Sequence, residues 1–204
     1  MIAIIDYRAG NLRSVERALR HLCLSCVITA DASAIAAADR VIFPGVGAAG
    51  KAMETVRASG LDRTIHEVVD RGTPFLGICL GTQIIFDSSD EDAASCLGIF
   101  PGTVRRFPDT GEKIPHMGWN TLRPVRSHPL LRGVGDRNWF YFIHSYYPDP
   151  SDDADVVTRT TYGVDFASAV ARNNVFATQF HPEKSADAGL AILRNFLTWA
   201  GEQT

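Results

Sequence analysis

The stretch Pro74-Phe75-Leu76-Gly77-Ile78-Cys79-Leu80-Gly81-Thr82-Gln83 reads as a strand, a sharp turn and the start of a helix. Pro74 to Ile78 is an unbroken apolar run, the pattern of a parallel strand buried on both faces. Leu80 to Phe86 turns helical. Cys79 stands at the turn, with glycines two residues before and two after it. Small flanking residues let a chain bend tightly and expose the side chain at the apex, as in the G-x-S-x-G nucleophile elbow. Such an elbow crowns the carboxyl edge of a parallel sheet, where open α/β folds bind ligands.

Working outward, strands and helices alternate through the first half. Ile2 to Asp6 is an apolar strand, and Gly10-Asn11 turns into a helix that Asn11 can cap. Its apolar residues Val15, Ala18, Leu19 and Leu22 recur at helical spacing. Val27 to Thr29 and Val41 to Phe43 read as short strands. Ala48 to Arg57 and Leu61 to Arg71 read as helices broken at Ser59-Gly60. Residues 97 to 180 are richer in strands and turns, with β-like runs at Ile114 to Leu122, Asn138 to Ile143, Ser168 to Ala171 and Val175 to Gln179. A last helix spans Ala186 to Trp199, with Ser185 as N-cap and a stripe of Leu190, Leu193 and Leu197. This order predicts right-handed βαβ crossovers, a mostly parallel sheet with helices on both faces, and one domain over residues 1–204.

Composition bounds the function. At 204 residues, 46% apolar and 21% charged, the chain fits one ordinary α/β core. A net charge of −3 without a Lys/Arg tract argues against a nucleic-acid surface. The N-terminus lacks the basic region of a signal peptide, and no apolar run is long enough to span a bilayer, so a cytoplasmic location is expected. Cys23 and Cys26 form a C-x-x-C pair, but one that ends a helical pattern rather than opening a helix, with no second pair for zinc. They read as small core residues. No metal spacing and no phosphate loop occur, and no cofactor is expected.

Chemistry converges on three segments. A helix N-terminus favours the Cys79 thiolate: free thiols titrate near about 8.5 and fall to roughly 3.5–7.5 in such surroundings. The Leu80 N–H would meet an oxyanion on a carbonyl attacked by Cys79. Pro44-Gly45-Val46-Gly47 follows a strand, and its backbone can approach substrate closely enough to add a second donor. His181, in Gln179-Phe180-His181-Pro182-Glu183, follows the last strand. Residues two apart in extended chain share a side, so Glu183 can orient the His181 imidazole.

These three blocks, Pro44 to Gly47, Gly77 to Gln83 and His181 to Glu183, resemble the class I (triad) glutamine amidotransferases over nearly the whole chain. The resemblance implies a flavodoxin-like fold and hydrolysis of glutamine through a γ-glutamyl thioester on Cys79, with His181 and Glu183 completing the triad. By the same likeness Gly47, Gln83, Ser145 and Tyr146 hold the α-amino and α-carboxylate ends of glutamine. Finer blocks, above all Pro115-His116-Met117-Gly118-Trp119-Asn120, are similar to the branch that delivers ammonia through a tunnel to a (β/α)₈-barrel cyclase. That partner makes imidazole glycerol phosphate in histidine biosynthesis, and Asn11, Trp119 and Lys184 would lie near its face.

Three positions depart from the family pattern. Arg8 stands where a glycine is usual, Thr82 replaces a common methionine and is expected only to adjust packing, and the region of Asp90, Glu91 and Asp92 lacks a glycine. The alternatives are a glutaminase serving anthranilate or guanylate synthesis, a non-catalytic regulatory module of the same fold, and thiol chemistry at Cys23 and Cys26.

Overall fold

The computed structural model describes residues 1–8, 10–135 and 139–202. Its first half runs β1 (Ile2–Ile5), α1 (Leu12–His21), β2 (Cys26–Thr29), α2 (Ala32–Ala36), β3 (Arg40–Gly45), α3 (Ala49–Ala58), α4 (Leu61–Asp70), β4 (Phe75–Cys79) and α5 (Leu80–Gln83). The strand-rich half follows with β5 (Phe86–Ser89), β6 (Ala94–Ser95), β7 (Phe100–Arg106), β8 (His116–Thr121) and β9 (Arg123–Pro124). It continues through β10 (Trp139–His144), β11 (Tyr146–Pro150), β12 (Val156–Tyr162), β13 (Val164–Arg172), β14 (Val175–Thr178) and α6 (Ala186–Thr198).

The main sheet has the order β2-β1-β3-β4-β14-β13-β12-β9. The first five strands are parallel, and the last three continue antiparallel. Strand alternation divides the core in two. Ala3, Ile5, Val41 and Phe43 pack with Ile35, Met53, Val56, Ile65 and Val68 of α2, α3 and α4. Ile2, Ile4, Ile42, Leu76 and Ile78 pack with Val15 and Leu19 of α1 and Ile192, Leu193 and Phe196 of α6. Helices therefore cover both faces, as expected. The set β11-β7-β5-β6 and the antiparallel pair β10-β8 form two further small sheets. Among the described residues, no helix is long and apolar enough to cross a membrane.

The structure corrects several details. The helix expected over Leu80 to Phe86 stops at Gln83, because Phe86 already pairs with Phe100 in the β5–β7 ladder. The buried stripe of α6 is Gly189, Ile192, Leu193 and Phe196, and of the three expected leucines only Leu193 is fully inside. Asn11 and Ser185 occupy the N-cap positions of α1 and α6, but neither side chain makes a cap hydrogen bond. Cys23 is exposed at φ 61°, in the turn that returns the chain from α1 to β2, and Cys26 is half-buried. Neither is a core residue. The short α2, capped by the Asp31 carboxylate on the Ser33 and Ala34 amides, had no apolar period long enough to announce it. Of the run expected to begin at Asn138, that residue lies outside those described.

Cys79 takes φ 55° and ψ −105°, and the elbow closes on its two glycines. A side chain at Gly81 would overlap the Phe43 carbonyl oxygen of β3, and one at Gly77 would press on the Gly81 carbonyl. Gly81→Ala is therefore expected to lower thermal stability by roughly 4–12 °C, the effect of about 2–3 kcal/mol of overpacking in a chain this size. Thermal unfolding followed by circular dichroism checks this, and an unchanged midpoint contradicts the packing.

Candidate active site

Sheet register brings the expected segments together. Strand β4 lies between β3 and β14, with Gly45 opposite Cys79 and Thr178 opposite Ile78. The carboxyl ends of three adjacent strands thus deliver Gly45-Val46-Gly47, Cys79-Leu80 and Gln179 to His181 to one edge. A cleft of about 300 Å³ opens there, lined by Val46, Gly47, Cys79, Leu80, Gln83, Glu91, Pro115, Ile143, His144, Ser145 and Tyr146. That volume is at the small end for ligand sites. Gly45 lies just behind the cleft, packed on the buried Tyr7 hydroxyl. His181 and Glu183 do not line the cleft: both side chains are completely enclosed.

The acid–base geometry follows from donors and acceptors. His181 Nδ1 lies 2.8 Å from Glu183 Oε1, so Nδ1–H donates to the carboxylate and Nε2 is left as the working nitrogen. Nε2 is buried without a hydrogen-bond partner. Asn11 Nδ2 donates to the same Glu183 oxygen at 2.6 Å, so its 3.5 Å approach to His181 Nδ1 sets two donors side by side and is not a bond. Burial pulls the His181 pKa down, but the Cys79 sulfur and then Glu183 favour the imidazolium and together carry it above its ordinary value. The His181 backbone is also fixed. Its N–H donates to the Tyr141 carbonyl at 2.9 Å, and Ser185 Oγ donates to its carbonyl at 2.6 Å. The same Ser185 hydroxyl accepts from Tyr141 N–H at 3.0 Å. Ser185 ties this segment to β10 instead of capping α6.

At the thiol, the Cys79 sulfur is 3.9 Å from the Ile143 carbonyl and 3.8 Å from Gln179 Nε2. Leu80 opens α5, so its amide N–H has no acceptor within the helix and can serve an anion at the elbow. A helix of four residues carries little macrodipole, and the local N–H groups must supply what the sequence reading assigned to a longer helix.

The departures acquire physical content. Arg8 has φ 67°, and Asp92 and Ala93 have φ 58° and 47°. Each position is in the left-handed region where a glycine would fit without strain. Thr82 does more than adjust packing: its hydroxyl donates to the Thr178 carbonyl at 2.6 Å and links α5 to β14. The three positions expected near a partner gather on one rim. Trp119 is 51% exposed and packs edge-on against Tyr141, over whose ring the Lys184 ammonium also sits, while Asn11 holds the neighbouring Glu183. Gln179 and His144 were not singled out from sequence. Their only signal was position, beside His181 and beside Ser145. Among the described residues no cluster of three or more His, Cys, Asp or Glu could hold a metal.

The sequence profile of the glutamine amidotransferase class-I family matches residues 3–199. The chain belongs to this family. Among curated relatives it is 51% identical to the imidazole glycerol phosphate synthase subunit HisH of Desulfovibrio desulfuricans, covering 96% of this chain and 93% of that one. It is 49% identical to the HisH subunit of Dehalococcoides mccartyi, covering 98% of each. A crystal structure of a glutamine amidotransferase superposes with a TM-score of 0.77 at 20% identity, covering 98% of both chains. PurLQS from Thermotoga maritima superposes with a TM-score of 0.72 at 19% identity over 96% of each. At those identities the structural likeness speaks to fold alone, and the amidotransferase fold is what it shares.

The electrostatics of this amidotransferase site can be read directly. In nitrogen-detected NMR of the full chain, the His181 imidazolium is expected to persist above the usual imidazole range, since its folded pKa is raised. Glu183→Gln and Cys79→Ser each remove one source of that shift and are expected to move the midpoint down. A midpoint unmoved by both substitutions would contradict the assigned geometry.

Proposed function

We propose that this chain, as a single glutamine amidotransferase domain working in the cytoplasm, is the glutaminase subunit of an imidazole glycerol phosphate synthase. It hydrolyses glutamine to glutamate and ammonia, and the ammonia is used by a (β/α)₈-barrel cyclase partner in histidine biosynthesis. The observation that carries this reading is the thiol of Cys79 held at a strained elbow in a cleft of substrate size, backed by an otherwise unpartnered His181 Nε2 on Glu183.

The geometry supports the following roles. His181 Nε2 takes the thiol proton, and the sulfur of Cys79 attacks the side-chain amide carbon of glutamine. Negative charge gathers on the former carbonyl oxygen, met by the Leu80 N–H and a donor from Gly45, Val46 or Gly47. The imidazolium returns its proton to the amide nitrogen, ammonia leaves, and a γ-glutamyl thioester remains. Water, deprotonated by His181, adds to the thioester, and glutamate departs as the sulfur is released. Glu183 keeps the imidazole in the tautomer that presents Nε2, and Asn11 braces Glu183. Gly47, Gln83, Ser145 and Tyr146 line the same cleft and are assigned to the α-amino and α-carboxylate ends of the substrate.

The partner assignment has its own support. The outer face of the β8–β10 pair exposes Met117, Trp119 and Trp139 at 59%, 51% and 56%, beside Lys184. Large apolar side chains grouped on one face mark an interaction surface. The face adjoins the active site through Ile143, whose carbonyl touches the Cys79 sulfur.

Cys79→Ala is expected to lower glutamate release by on the order of 10³-fold or more while leaving the fold and partner binding intact. The unsubstituted chain is expected to be slow alone and faster when the barrel partner carries its nucleotide. Glutamate release measured with and without partner checks both, and full activity in Cys79→Ala refutes the assignment.

A further inference from the structure

The buried amides behind Cys79 form one hydrogen-bonded run whose direction is fixed atom by atom. The Tyr146 carbonyl can only accept, so Gln83 must turn its Nε2 to it, at 2.8 Å. The same Nε2 reaches Gln179 Oε1 at 3.1 Å. Gln179 is thereby obliged to present its own Nε2 to the Cys79 sulfur, 3.8 Å away, and it is fully buried while doing so. The second arm ends on the same carbonyl. His144 Nδ1–H donates to Tyr146 O at 2.8 Å, which makes its Nε2 an acceptor. His116 Nδ1–H must then be the donor across the 3.1 Å contact, and His116 Nε2 accepts from Asn120 Nδ2 at 3.3 Å. Asn120 is anchored on the Thr161 carbonyl at 3.0 Å. His116 is stacked between Phe142 and Tyr162, and burial holds His116 and His144 down to about 4 and about 3. Both rings are neutral at physiological pH, and the tautomers stay as assigned.

We propose that Gln179 is a further catalytic residue, donating its Nε2–H to the Cys79 thiolate, with Gln83 as the positioning residue that keeps that amide turned toward the sulfur; the His144–His116–Asn120 arm meets Gln83 only at the Tyr146 carbonyl, where both donate. The proposal rests on Cys79 being the nucleophile. An N–H donor favours the charged sulfur over the thiol, and here such help is needed. The helix behind the elbow is four residues long, and the Ile143 carbonyl facing the sulfur favours the protonated form instead. The titratable groups around the thiol are Tyr7 at the end of β1, His181 and Glu183 after β14, Glu91 between β5 and β6, and His144 of β10. Of these, His181 is the group that can face the anion as a cation, its pKa raised against burial by the sulfur.

The test is the pH profile of iodoacetamide alkylation at Cys79 in the full chain, quantified by peptide mass so that Cys23 and Cys26 are counted separately. Gln179→Leu is expected to displace the profile to higher pH and slow alkylation at neutral pH by roughly ten-fold or more, the worth of a hydrogen bond to a charged group. Gln179→Glu keeps an acceptor for Gln83 but sets a carboxylate against the sulfur, and is expected to displace it further. Gln179→Met, unbranched and without the N–H, decides the matter if the leucine variant fails to fold. Gln83→Leu frees the Gln179 amide to turn and is expected to move the profile the same way, by less than Gln179→Leu. Unmoved profiles in the Gln179 variants overturn the catalytic role, and an unmoved profile in Gln83→Leu overturns its positioning role. Absence of any fast alkylation at Cys79 in the unsubstituted chain would instead refute the nucleophile, a separate failure.

Discussion

Parallel pairing of β4 with β3 on one side and β14 on the other is the constraint on which the site depends. Parallel strands end on the same edge, and a shared register makes their following residues neighbours. Gly45 opposite Cys79 and Thr178 opposite Ile78 mean that three chain segments far apart in sequence turn out of the sheet within a few ångströms of one another. A slip of one residue in either pairing would reverse the side chains that face the cleft. The run Phe75 to Ile78 is buried throughout, and Gly77 resists such a slip because any larger side chain there would press on the Gly81 carbonyl and Ala177.

Onto this frame the elbow adds strain and the surroundings add charge. Cys79 is held at a backbone geometry that a non-glycine residue rarely adopts, and the close seating of Gly81 under β3 is what enforces it. The proton chemistry then depends on enclosure. With His181 and Glu183 removed from water, the pair of sulfur and imidazole responds mainly to fixed neighbours: Asn11 on Glu183, Ser185 and Tyr141 on the His181 backbone, Gln179 on the sulfur. Several of these neighbours belong to, or lean on, the same rim that exposes Trp119. The geometry of the site and the apolar face are thus built from common parts.

Much of this was legible in the sequence because the responsible signals are local. Strand–helix alternation, the small residues flanking Cys79 and the spacing of His181 from Glu183 each act over a few residues, and the layers and the meeting of the three segments follow from them. What the sequence could not show are contacts made across the fold. Asn11 and Ser185 look like helix caps, because a cap is the local use of such side chains, yet both are drawn to partners near His181. Gln179 reads as an ordinary strand residue until β14 is set beside β4. Cys23 looks like core from its apolar neighbours, but the closing turn of α1 carries it outside. The short helix α5 was over-extended because Ile84 to Phe86 keeps a helical pattern, while the β5–β7 ladder claims Phe86.

The most direct test is labelling of the full chain with a glutamine-mimicking electrophile, read by peptide mass, with free glutamine as competitor. The account predicts one added group, on Cys79, whose appearance is suppressed by glutamine and slowed when His181 is replaced by asparagine. Label on Cys23 or Cys26 instead, or label on Cys79 that glutamine does not suppress, would contradict it.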